Sequence, residues 1–98
     1  EVLRALGPDG VIINISRAQN IDEDALLDAL ESGAIGGAGL DVFEGEPHVN
    51  PRFAELSNVV MQPHVGSATI ETRKGMGRLM LDNLTAHFDG RPLLTPVV

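Results

Sequence analysis

The chain opens with a short run, EVLRAL, that stops at Gly7 and Pro8; after the turn residues Asp9 and Gly10 comes VIINIS, apolar almost throughout. An unbroken apolar run of this kind is what a parallel strand covered on both faces requires, so the end of a helix followed by a buried strand is predicted. From Ile21 the apolar spacing lengthens to that of a helix. Leu26, Leu27 and Leu30 share one face of a helix over 23–32. Asp22 stands where it can accept a bond from the free N–H groups of the first turn, Ile21 where it can staple onto Leu26, and Gly33 where the helix must end. GAIGGAGLDV then reads as a second strand. EGEPHVNPRFAEL reads as a loop with one helical turn near 52–56, and NVVMQP as a third short strand whose ladder Pro63, lacking an N–H, brings to a close.

Beyond Thr69 the period changes once more. Met76, Leu79, Met80, Leu84, His87 and Phe88 recur at three- and four-residue steps, which predicts a long amphipathic helix to about Asp89, capped by Thr69 and favoured by Glu71 in its first turn. A methionine stripe of this spacing reads as core or domain-interface packing. The tail GRPLLTPVV is held extended by its prolines and is apolar enough to need burial against another domain. The order helix, strand, helix, strand, loop, strand, long helix describes the C-terminal half of a doubly wound α/β sheet. Three such strands leave one edge unpaired and the helices too few to cover both faces, and the first residues look like the middle of a helix; the natural chain is therefore expected to continue upstream of Glu1.

Composition narrows the classes of function. Of 98 residues 43% are apolar, enough for a packed core, and there is no cysteine, so neither disulfides nor a zinc site is indicated. Seven basic against 14 acidic residues give a net charge of −7, which repels phosphate backbones and anionic membranes. The apolar stretches are far too short to span a bilayer, and the first residues lack a signal-peptide layout. A soluble protein, cytoplasmic by default, is expected.

Candidate chemistry gathers at the C-terminal ends of the three predicted strands, the edge where open α/β sheets bind their ligands. Arg17, just past VIINIS, offers a planar fork of donors that matches a carboxylate, although a surface arginine would occupy the same place in a loop. His64 follows NVVMQP and alone could equally be structural. Glu46, shortly after GGAGLDVF, gives it a role: a carboxylate beside an imidazole favours the protonated ring and fixes its orientation, so that it can donate a proton near neutral pH. His48 and His87 lack such a setting and read as structural or exposed. The glycines of the second strand precede a strand end instead of opening a helix, so they are weak candidates for a phosphate cradle. They hint instead at close approach by another backbone or a ligand.

The segments NISR, IDEDAL, GAGLDVFEGEP and NVVMQPHVGSATIETR together resemble the C-terminal part of the D-specific 2-hydroxyacid dehydrogenases, nearest to their glyoxylate/hydroxypyruvate and hydroxyphenylpyruvate reductase branch. The resemblance runs to the ending PLLTPVV, with Glu46 placed 29 positions after Arg17 and His64 placed 18 after Glu46. It implies a Rossmann-type dinucleotide domain, residues 1–68 forming its C-terminal half and residues 69–98 a crossover helix and tail that pack on a substrate domain. It implies reduction of a small 2-keto acid to the D-2-hydroxy acid by NADH or NADPH, the branch leaning to NADPH, in an enzyme that is a homodimer. Arg17 would hold the substrate carboxylate and polarise the ketone, His64 would protonate the carbonyl oxygen as hydride arrives, and Glu46 would keep His64 charged. Asp41, Ile15, Ser16 and Gly66 match positions lining the nicotinamide pocket, with Ser67 beside the substrate.

Two departures from the family pattern stand out. Ala18 replaces the glycine that usually follows the arginine, which alters the turn if that glycine uses positive φ. Neither a G-x-G-x-x-G after a strand nor a ribose-reading acidic residue is present, so both are expected upstream. Rival readings fare less well. A formate dehydrogenase would lack Glu46, a phosphoglycerate dehydrogenase would add a regulatory domain, and a silent relative serving as a scaffold would have lost one of Arg17, Glu46 and His64.

Overall fold

In the computed structural model, which describes residues 1–97, the chain divides into two compact units, one of Glu1–Gly66 and a second that starts at Ser67. The first unit is a three-stranded parallel sheet in the order β1 (Val11–Asn14), β2 (Gly37–Leu40), β3 (Val59–Met61). Helix α1 (Val2–Leu6) precedes β1, and α2 (Glu23–Glu31) crosses from β1 to β2. Short 3₁₀ helices, Ala18–Asn20 and Pro51–Glu55, lie in the connections.

α2 forms where the pattern places it. The Asp22 carboxylate accepts the Ala25 N–H at 2.9 Å, Glu23 and Asp24 put negative charge on the first turn, and Gly33, at φ +70°, turns the chain out beyond the end. Leu26, Leu27, Ala29 and Leu30 bury against Ile35, Ala38, Leu40, Phe43 and Phe53, with Ile21 and Leu3 packed around them. This is the core, and α2 is its lid.

As expected of so few helices, the strands of this unit are covered on one face only. Val11 and Ile13 of β1 are 58% and 64% exposed and Val60 of β3 is 65% exposed, because the core, with α2 and Leu3 of α1, covers only the opposite face of the sheet. The register places Ile13, Gly39 and Val60 in one row across that open face. One of the β2 glycines does reflect close approach. A Cβ on Gly37 would stand 2.8 Å from the Asn58 carbonyl oxygen, a close backbone approach, whereas at Gly39 the nearest atom is the movable Cδ1 of Ile13.

The second unit is built on α3 (Ile70–Phe88), whose cap Thr69 accepts the Thr72 N–H at 3.1 Å. Met76, Leu79, Met80, Leu84 and Phe88 are all exposed, so the predicted packing face is uncovered here. The tail turns back on the helix, where Thr95 and Asn83 exchange two hydrogen bonds. Val98 lies outside the described residues. No helix among the described residues is long and apolar enough to cross a membrane.

Candidate active site

The end of β1 is organised by a residue that the sequence pattern did not single out. Asn14 is buried, and its side chain accepts the Ser16 N–H at 3.1 Å while donating to the Arg17 carbonyl at 2.9 Å. This Asx turn folds the backbone through Ile15, Ser16 and Arg17, all three of them exposed. Arg17 begins the 3₁₀ helix with extended φ and ψ, and its Nη1 donates to the Ser16 carbonyl at 2.7 Å. The rest of its guanidinium has no protein partner among the described residues. Ala18, inside that 3₁₀ helix, does not have a positive φ, so alanine in place of glycine imposes no strain on the turn that aims Arg17.

Asp41 follows β2 and continues its ladder by donating its N–H to the Asn14 carbonyl at 3.0 Å. Its buried carboxylate accepts the N–H groups of Val65 at 2.8 Å and Gly66 at 2.7 Å. The bond from Val65 does most to hold its pKa below the ordinary aspartate value; burial opposes this, and Gly66 and the nearby imidazole add to it. These two bonds fix the segment that follows His64. That residue has φ 56°, and no other described non-glycine residue has a positive φ. Histidine enters this left-handed region more readily than most residues, yet the conformation costs about 1–3 kcal/mol and persists only where its surroundings impose it. A Cβ on Gly66 would lie 2.8 Å from Asp41 Oδ2, so glycine is required there.

The segment after Asp41 then brings Glu46 to His64. Glu46 Oε1 accepts the Phe43 N–H at 2.8 Å, and Oε2 lies 2.8 Å from His64 Nδ1. The imidazole bond, followed by the Phe43 N–H, draws the Glu46 pKa down; partial burial and the Asp41 charge oppose them. Glu46 is therefore ionised at neutral pH, and the remaining ring nitrogen, Nε2, has no partner among the described residues. Beside this pair lies a cleft of about 690 Å³ walled by Phe43, Pro47, Val49, Phe53, Met61 and Pro63. No pattern in the sequence points to it. His48 and His87 are exposed, the latter edge-on to Phe88.

The structure thus joins Glu46 to His64 directly and ties Asp41 to the two residues that follow. Arg17 stands at the same C-terminal edge, three residues beyond β1, without a hydrogen bond to either Glu46 or His64. Gly66 ends this unit, whereas Ser67, exposed, begins the next.

This constellation has counterparts among known proteins. The family model for the NAD binding domain of D-isomer specific 2-hydroxyacid dehydrogenases matches residues 1–66. Over 98 residues the chain is 60% identical to the hydroxyphenylpyruvate reductase of Plectranthus scutellarioides and 56% to the glyoxylate/hydroxypyruvate reductase A of Arabidopsis thaliana, covering all of this chain and 31% of each relative. The chain spans about a third of the length of the curated relatives it matches. The 2-hydroxyacid dehydrogenase of Ketogulonicigenium vulgare Y25 superposes with a TM-score of 0.92 at 67% identity over 99% of this chain and 30% of that one. The NADPH-dependent glyoxylate/hydroxypyruvate reductase of Sinorhizobium meliloti, solved with NADP and malonate, gives 0.95 at 52% over the same 99% and 30%. Parallel sheet, connection order and sequence agree, and the chain belongs to the D-isomer specific 2-hydroxyacid dehydrogenase family.

Proposed function

We propose that this chain is the nicotinamide-facing half of the dinucleotide domain of an NAD(P)H-dependent reductase that converts a small 2-keto acid, of the glyoxylate or hydroxypyruvate type, to its D-2-hydroxy acid. The observation that carries the reading is the 2.8 Å contact between His64 Nδ1 and Glu46 Oε2 at the ligand-binding edge of the sheet. With Nδ1–H donated to an ionised carboxylate, Nε2–H of the protonated ring is left to face the substrate carbonyl oxygen. Arg17, with most of its donors unpaired, holds the substrate carboxylate and adds positive charge beside the oxygen as negative charge develops there.

The residues present suit a nicotinamide. Ile15, 74% exposed, offers an apolar wall beyond β1, and the Asp41 oxygens each take one backbone donor and keep capacity for another, such as a carboxamide N–H. When bound, NAD(P)H supplies the hydride; this chain's residues orient the ketone and deliver the proton. NADPH is the favoured form, in line with the Sinorhizobium meliloti relative named above. Residues 1–68 complete the dinucleotide domain, and residues 69–98, with Ser67 nearby, meet the substrate domain of a longer, cytoplasmic, homodimeric protein. A silent scaffold is disfavoured because Arg17, Glu46 and His64 are all retained.

His64→Gln in the full-length protein tests the reading. Turnover should fall about 10²–10⁴-fold, the usual worth of a positioned general acid, with cofactor affinity by fluorescence titration held within about twofold. Equal loss of both would assign His64 a structural role.

A further inference from the structure

Glu46 must be held opposite His64 by a segment with little regular structure of its own. Between the end of β2 and the start of β3 the chain forms only the 3₁₀ helix Pro51–Glu55, yet it is tied to α2 on both sides of Glu46. Before it, the Glu44 N–H donates to the half-buried Glu23 carboxylate at 2.8 Å, from the first residue of α2. After it, the Arg52 guanidinium grips the same helix. Nε and Nη2 each donate to Glu31 at 2.8 Å, Nη2 also donates to Asp28 at 2.6 Å, and Nη1 stands 3.6 Å from Asp24. Phe53, next in sequence, is 1% exposed and meets Phe43 edge to face with centroids 5.5 Å apart. The segment is a strap whose two ends are fastened to one rigid helix, with the carboxylate between them.

We propose that the acidic face of α2 is the mount that sets Glu46 against His64, with Glu23 and Arg52 as positioning residues for the proton donor. The inference rests on the reading of His64 as the acid. Its physical basis is tolerance: catalytic groups must be held within about 0.5 Å, and a displacement of about 1 Å costs on the order of 10²-fold in rate. Glu46, whose side chain is 33% exposed, is held locally by partial burial and the Phe43 N–H, both carried by the same strap. Arg52 is bidentate to Glu31 within a network of three carboxylates, so its loss lowers stability as well as freeing the strap, and the pH profile, not the melting temperature, is the deciding readout. Removing Arg52 also leaves Asp24, Asp28 and Glu31 along one face of α2 without their shared cation. Apart from His64, the titratable group that bears on Glu46 is Asp41 at the end of β2, and neither substitution touches it.

The test uses the full-length protein with Glu23→Ala, Arg52→Met, the double variant, and Glu23→Gln, which keeps an oxygen for the Glu44 N–H. kcat/KM is followed against pH, together with cofactor affinity and thermal melting. In Glu23→Ala and Arg52→Met the fall in activity on the basic side should move to lower pH, because a misplaced carboxylate supports the charged ring less well. kcat should fall about tenfold with cofactor affinity unchanged, and Glu23→Gln should restore most of both. A lowered melting temperature with a pH profile superimposable on that of the parent overturns the inference and leaves the role of His64 intact. A basic limb that persists in His64→Gln overturns the acid reading and this inference with it.

Discussion

Asp41 shows how one carboxylate shapes the backbone beside the candidate acid. Its two oxygens hold the Val65 and Gly66 N–H groups and so maintain His64 in the left-handed region, an arrangement that an amide cannot reproduce with one acceptor oxygen. Because its folded pKa is lowered, Asp41 contributes stability that is fully present above the unfolded carboxylate value near 4 and is lost as pH falls through the lower folded value. Asp41→Asn should therefore lower the melting temperature at pH 7, and the gap from the parent should narrow on acidification. Thermal melts between pH 7 and pH 2 check this, and a gap that does not vary with pH would show that Asp41 acts through packing alone. The positions of Arg17, Glu46 and His64 past the strand ends were legible in the sequence because each sits at or near the end of an apolar run, a local signal. Glu23 and Arg52 were not: their partners lie 21 and 24 positions away, and no periodicity reports a pairing across that distance. Asn14 was within reach, since an asparagine two places before a serine can form an Asx turn, but its place inside an apolar run hid it.

Among the elements, the sequence specifies the helices more closely than the strands. α2 begins at its predicted cap and buries the predicted leucines, because a cap and a 3.6-residue stripe are complete within the segment itself. The run VIINIS declares two covered faces, but a second cover has to come from elsewhere, and in this unit Val11 and Ile13 face outward. The same distinction locates the stability of the first unit. Leu27, at 0% exposure, is central to the α2 contact, and Leu27→Ala should cost about 2–5 kcal/mol through lost burial and a residual cavity. Val60→Ala, on the open face, should cost less than about 0.5 kcal/mol. Denaturant titration of both variants decides the matter. Similar costs would mean that the open face is covered in the protein tested, and would place a partner surface against β3.

At the scale of the whole molecule, the chain presents apolar surfaces that it does not itself cover. Val11, Ile13, Ile15 and Val60 mark one on the first unit; Met76, Leu79, Met80, Leu84 and Phe88 mark another on the second. Relatives are about three times as long, and the phosphate-binding turn that should precede these strands is not in this sequence. Dinucleotide affinity in such folds comes largely from that turn, where backbone N–H groups and a helix N-terminus meet the pyrophosphate. The proposed nicotinamide end alone would offer a few hydrogen bonds and one apolar wall. The isolated 98 residues should consequently bind NADH or NADPH no more tightly than the millimolar range, about 4 kcal/mol, and should not reduce glyoxylate or hydroxypyruvate. Calorimetry with each cofactor measures the first and absorbance at the nicotinamide band the second. Micromolar binding would mean that the residues of this half, Asp41 and the 64–66 turn foremost, grip the cofactor without the phosphate turn, and would shift the weight of recognition in this family member from pyrophosphate to nicotinamide.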